Sequence, residues 1–116
     1  MLAGKYNIVC DQGSTFIREF TVRDSAGLPY NLTGYSARMQ VRKDVDSTTV
    51  LLEATVANGR ITMAPNEGVI TVTFAPSVTA TLTRSGVYDL EVFTTGNGDV
   101  QKVVRGEFRL EKEVTR

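Results

Sequence analysis

Tyr35-Ser36-Ala37-Arg38-Met39-Gln40-Val41-Arg42 is the stretch on which the fold turns. Its odd positions carry Tyr, Ala, Met and Val, and its even positions Ser, Arg, Gln and Arg. A period of two over eight residues puts one face in a core and the other in water, the pattern of a half-buried β-strand. The same alternation recurs downstream. Ile70, Val72 and Phe74 alternate with Thr71 and Thr73, and Tyr88, Leu90 and Val92 alternate with Asp89 and Glu91. Val104, Phe108 and Leu110 supply the inward set of a final strand, with Gly106 leaving room for a large neighbour. Fifteen threonines and fifteen valines agree with this, since β-branched side chains suit a pleated surface better than a helix.

Weaker runs fill the remainder. Residues 5–10 are expected as a first strand with Tyr6, Ile8 and Cys10 on one face. Residues 15–23 bring Phe16, Phe20 and Val22 into register, with Arg18 interrupting the apolar face. That arginine belongs either at the edge of the core or on a bulge that turns it outward. Residues 50–56 and 60–63 flank Ala57-Asn58-Gly59, and Asn-Gly favours a type I′ turn. Asp24-Ser25-Ala26-Gly27 and Gly96-Asn97-Gly98-Asp99 read as hairpin loops, and Pro65-Asn66-Glu67-Gly68 as a further turn. Residues 77–82 are expected to form one helical turn after Pro76. Seven or eight strands spaced about 8–12 residues apart predict an all-β, antiparallel sandwich or small barrel. No linker, repeat or low-complexity segment divides the chain, so residues 1–110 are expected as one β-sandwich domain and residues 111–116 as a short charged tail.

Composition narrows the function. A length of 116 residues suits one domain, and such a chain buries about 65% of the surface its unfolded form exposes. Thirteen basic and thirteen acidic side chains cancel, so no overall field draws in nucleic acid or an anionic membrane. The absence of histidine removes the commonest general base and the commonest zinc ligand. A lone Cys10 cannot form an internal disulfide and reads as a small buried hydrophobe. The apolar runs are too short to span a membrane. The first residues lack the long apolar stretch of a secretory signal, and synthesis and use without Sec export are expected. Asn31-Leu32-Thr33 matches a glycosylation acceptor but reads as a turn.

Candidate chemistry is sparse. Asp89 and Glu91 share one strand face, where charges meet water, and Arg105 on the adjacent strand is the expected cross-strand partner. Asp44 and Asp46 resemble the start of a calcium loop, yet the central glycine and closing glutamate are missing. Gly96-Asn97-Gly98 precedes a strand, which leaves no helix N-terminus for phosphate. Arg38, Arg42 and Lys43, with Arg60 nearby, form a small basic stripe without the stacking aromatics of a nucleic-acid reader. The serines and threonines have no histidine to activate them and no Gly-x-Ser-x-Gly elbow. No enzyme, cofactor or metal is expected.

Cys10-Asp11-Gln12-Gly13-Ser14-Thr15-Phe16, residues 32–42, residues 58–62, Gly68-Val69-Ile70-Thr71-Val72 and Gly86-Val87-Tyr88-Asp89-Leu90-Glu91, with the closing Glu113-Val114-Thr115-Arg116, together resemble a small protein of tailed phages and prophages. The progression from Gln12-Gly13 through Asp24, Gly27 and Pro29 to Leu32-Thr33-Gly34-Tyr35 also resembles the N-terminal domain of phage baseplate upper proteins. The resemblance implies a virion structural protein with an immunoglobulin-like sandwich. Baseplate domains of similar sequence attach a receptor-binding or fibre-carrying module to the tail, and this chain would act as a separate subunit. The same residues have fold-building reasons: Gly13 turns the chain, Leu32 anchors a connection, and Tyr88 seats its ring inside with its hydroxyl at the rim.

The expected function is therefore a non-enzymatic tail, baseplate or fibre-connecting adaptor, made in the host cytoplasm and resident in the virion. It would bind other virion proteins, as a homo-oligomer in the assembly, with no nucleic acid or membrane partner. Expected contact residues are Lys43, Asp44 and Asp46 in one loop, Asn97 and Asp99 in another, and Glu111, Lys112 and Arg116 in the tail. Threonine-rich strands beside residues 77–82 are expected to offer backbone for strand addition. A capsid decoration protein is the alternative within the class. A carbohydrate-binding module is the alternative outside it, with Tyr30 as the one obvious loop aromatic.

Overall fold

The computed structural model describes residues 4–96 and 98–115. Among these residues nine strands form two sheets: β1 (Gly4–Lys5), β2 (Ile8–Asp11), β3 (Phe16–Thr21), β4 (Tyr35–Arg42), β5 (Val50–Thr55), β6 (Ile61–Ala64), β7 (Val69–Phe74), β8 (Gly86–Thr94) and β9 (Val100–Glu111). A 3-10 turn (Pro65–Glu67) precedes β7, and a single α-helical turn, α1 (Pro76–Thr79), follows it. The larger sheet runs β1-β9-β8-β4-β5, with β2 also on β9, and the smaller runs β3-β7-β6. The all-β sandwich expected from the alternation is the observed architecture. Because β1 and β2 lie end to end along β9, the nine segments fill eight lanes.

Two expectations about strand pairing need correction. The sandwich is not wholly antiparallel, since β1 and β2 pair with β9 in parallel, Gly4 opposite Val104 and Ile8 opposite Phe108. The expected single strand over residues 5–10 is broken at Tyr6-Asn7, where the Tyr6 carbonyl passes directly over Gly106. A Cβ at Gly106 would collide with that carbonyl, so the glycine makes room for backbone and not for a large side chain. Tyr6 is consequently exposed, whereas Ile8 and Cys10 are buried. Second, β5 and β6 do not form a hairpin through Asn58-Gly59. They belong to different sheets, and the turn carries the chain across the sandwich.

The core follows the alternation residue by residue. Ala37, Met39 and Val41 of β4, Ile70, Val72 and Phe74 of β7, and Tyr88, Leu90 and Val92 of β8 all face inward and are buried. Phe16 lies 5.7 Å from Phe74 and 6.0 Å from Phe108, so one aromatic trio joins the small sheet to the large one. Each such ring contributes about 1.5–3 kcal/mol by leaving water. Leu32, fully buried, pins the β3–β4 connection, and its N–H donates to the Pro65 carbonyl. Cys10 is buried too, and desolvation with help from Asp11 pushes its thiol up to about 11.

Arg18 settles on the first of the two expected alternatives. β3 pairs with β7 without a bulge, and the side chain lies at the core's edge with its guanidinium 4.9 Å from the Phe16 ring centroid. Asn31 forms the expected turn, its Oδ1 accepting from the Thr33 N–H at 2.9 Å and from Thr33 Oγ1 at 2.6 Å. Tyr88 is buried and donates its hydroxyl to the Tyr6 carbonyl at 2.5 Å, and burial raises the pKa of its phenol.

Candidate functional site

Register sorts the expected contact residues onto two ends of the large sheet. β4 and β8 run from Tyr35 opposite Thr94 to Arg42 opposite Val87. The loop carrying Lys43, Asp44 and Asp46 therefore leaves at the Arg42 end, where β9 also brings Glu111 and Lys112. Asp99 lies at the other end, in the β8–β9 turn. Asn97 and Arg116 lie outside the described residues.

Each group is held differently. Asp44 organises its own turn, Oδ1 accepting from the Asp46 N–H at 3.2 Å and the carbonyl accepting from the Ser47 N–H at 3.1 Å. Arg42 steadies the loop by donating to the Ser47 carbonyl at 2.8 Å, and Val45 at its tip is 83% exposed. Glu111 closes β9, opposite Asp11, and its carboxylate is 3.0 Å from Arg109. The chain then turns toward β2, where the Glu113 N–H donates to Gln12 Oε1 at 2.8 Å. Asp99 accepts from the Tyr35 hydroxyl at 2.7 Å and from Gln101 at 2.6 Å. The Tyr35 bond, followed by the Gln101 bond, holds the Asp99 carboxyl below its ordinary range and raises the Tyr35 phenol. Tyr30 is not a free loop aromatic. It is half-buried and packs edge-on against Tyr35, 6.3 Å between centroids.

Backbone along several strands is already taken. Threonine-rich β7 is the central strand of the small sheet, with β3 on one side and β6 on the other, so the expected strand addition there has no free backbone. Edge strand β5 skips a residue against β4, Arg42 facing Val50 and Val41 facing Leu52, which leaves Leu51 as a bulge. Asn58 and Arg60 both donate to the outward Glu53 carbonyl, at 3.1 and 2.9 Å. A bulge and side-chain caps are two of the ways proteins blunt an edge. On the opposite side Arg18 donates to the Val9 carbonyl of β2 at 3.2 Å and to the Ile17 carbonyl of β3 at 3.3 Å.

What remains is the outer face of the large sheet, which carries Asp89, Glu91 and two members of the basic stripe, Arg38 and Arg42. It bears a cleft of about 530 Å³ between β1 and the Arg42 end of β4. One cross-strand row runs Lys5, Arg105, Asp89, Gln40, Glu53, and the next runs Lys102, Glu91, Arg38. Arg38 bonds Glu91 at 2.6 Å, while Gln40 donates to Glu53 at 2.6 Å. Asp89 faces Arg105 in register but pairs diagonally with Lys102, at 3.2 Å. The cause is a one-residue shift in β9: Leu90 faces Val104 and Glu91 faces Lys102, leaving Val103 as a bulge. Period two alone would put residues 102 and 105 on opposite faces. The bulge brings both to the outside, and the expected Asp89–Arg105 pair does not form. Arg60, expected near this stripe, instead binds the β5 backbone.

Fold and surface together define a two-sheet β-sandwich with one charged outer face. No protein-family model and no curated protein sequence matches the chain. Among solved structures the fold is similar to the N-terminal domain of phage TP901-1 ORF48, with a TM-score of 0.57 and 10% sequence identity over 94% of this chain and 86% of that one.

Proposed function

We propose that this chain is a non-enzymatic structural subunit of a phage virion. It acts as an adaptor in the tail or baseplate, joining other virion proteins by protein–protein contact in a symmetric assembly. The observation that carries the reading is the shared fold with a phage protein's N-terminal domain over nearly the whole chain. The motif progression from Gln12-Gly13 to Leu32-Thr33-Gly34-Tyr35, which resembles baseplate upper proteins, supports it independently of fold comparison. The bulged and capped β5 edge suits a subunit present in several copies, because it opposes uncontrolled strand pairing between neighbours. Zero formal net charge suits close packing of such copies.

Quantitative mass spectrometry of purified particles, referenced to the major capsid protein, tests the proposal. About six to a few dozen copies per particle is the expected result, as for a subunit of a closed symmetric assembly. Hundreds of copies would transfer the protein to the capsid surface as a decoration subunit, and absence from particles would overturn the virion reading.

A further inference from the structure

We propose that the cleft on the outer face of the large sheet is the docking site for an acidic segment of a partner protein, with carboxylates bound by Lys5 and Arg105. The inference rests on the reading of the chain as an assembly subunit. Its starting point is an imbalance within an otherwise matched face. Arg38 has Glu91 and Lys102 has Asp89, whereas Lys5 and Arg105 stand directly opposite each other on β1 and β9. Both are exposed, and neither side chain has a hydrogen bond or ion pair among the described residues. Like charges directly opposite each other oppose strand pairing. A carboxylate between them relieves that repulsion and gains two charge-assisted bonds.

The remaining lining selects the kind of anion. Asp44, Asp89 and Glu91 border the same cleft, and their charge disfavours a polyanion such as nucleic acid. Val45 and Val87 also line the cleft, so it offers apolar contact. A protein segment bearing one or two carboxylates beside an aliphatic side chain fits both features.

The test uses the full chain, labelled for NMR, and a capped peptide alternating Asp and Leu. Saturable shifts centred on Lys5, Val87 and Arg105 are expected, weakened at least tenfold in Lys5→Glu/Arg105→Glu and unchanged in Lys112→Glu. Asp89→Asn, which frees Lys102, is expected to tighten binding at least twofold and guards against a double variant that folds poorly. Equal binding of a Lys-Leu peptide, or shifts spread evenly over the surface, would overturn the inference. In particles, wild-type copy number for the double variant would overturn the docking site and leave the virion reading intact. Loss of the wild-type protein from particles bears on the virion reading alone, since the peptide titration still judges the cleft.

Discussion

Of the four crossings between the sheets, the two that join edge strands, β2 to β3 and β5 to β6, are closed in different ways. On the β5–β6 side everything is local. Asn58 Oδ1 accepts from the Thr55 N–H at 3.0 Å and the Arg60 N–H at 3.1 Å, its Nδ2 caps Glu53, and Gly59 takes a φ of 78°. On the β2–β3 side Gly13 takes the same φ of 78°, but the fastening reaches across the chain. Gln12 donates to the Leu82 carbonyl at 2.7 Å and accepts from Glu113, and Thr79 donates to the Ser14 carbonyl at 2.8 Å. Arg18 then spans both sheet edges. A local crossing can form early and independently, whereas the other exists only after β9 and α1 are in place, because long loops must close first.

The largest effect is expected where the long-range side depends on backbone contact. Gly106→Ala pushes the Tyr6 carbonyl, and with it β1 and β2, away from β9, and should cost about 3 kcal/mol in denaturant unfolding. Arg18→Ala leaves the Val9 carbonyl uncapped and a gap over Phe16, for a loss of about 2–3 kcal/mol. Its Nε is buried with no hydrogen-bond partner among the described residues, so Arg18→Met keeps the packing, removes that penalty, and should cost under about 1 kcal/mol. An equal cost for both variants would show that the caps, not the packing, hold this side.

Asn58→Ala removes three side-chain hydrogen bonds from the local crossing and should cost about 2 kcal/mol. Gly59→Ala meets open space and suffers only the strain of its positive φ, about 1 kcal/mol. Cys10 separates the two sides kinetically. Labelling of the native thiol by a disulfide reagent should be slow in the wild type, faster in Arg18→Ala, and unchanged in Asn58→Ala. Equal acceleration by both variants would mean that the sides open as one unit.

The smallest effect is one of pH. Folding raises the Cys10 pKa from 9.0 to about 11, so its contribution is complete below 9.0 and is lost as pH rises toward 11. The stability difference between wild type and Cys10→Ala should hold from neutral pH to 9 and shrink from there to 11. A difference that stays constant through this window would place the thiol in contact with water.

Of the proposed docking surface, only part was legible in the sequence. Asp89, Glu91 and Arg105 stood out because they sit on the polar phase of clear alternations. Lys5 did not, since nothing local reveals that a two-residue strand will lie beside residue 105. Asp44 was recognisable as a turn former, and its carboxylate does hold the turn, but its place at the cleft depends on the β4–β8 register.

Sequence alone determined the strands from β3 onward, the inward sets of β4, β7 and β8, the burial of Cys10 and Leu32 and the turn at Asn31. Each depends on period two or on turn chemistry, which act within a few residues. Tertiary structure decided the parallel seating of β1 and β2 on β9, the bulge at Val103 and the reach of Arg18 and Gln12. These link residues as far apart as Gln12 and Glu113. Alternation specifies which face of a strand is buried, but not which strand lies beside it or in what register. That choice is made by closing the core around Phe16, Phe74 and Phe108.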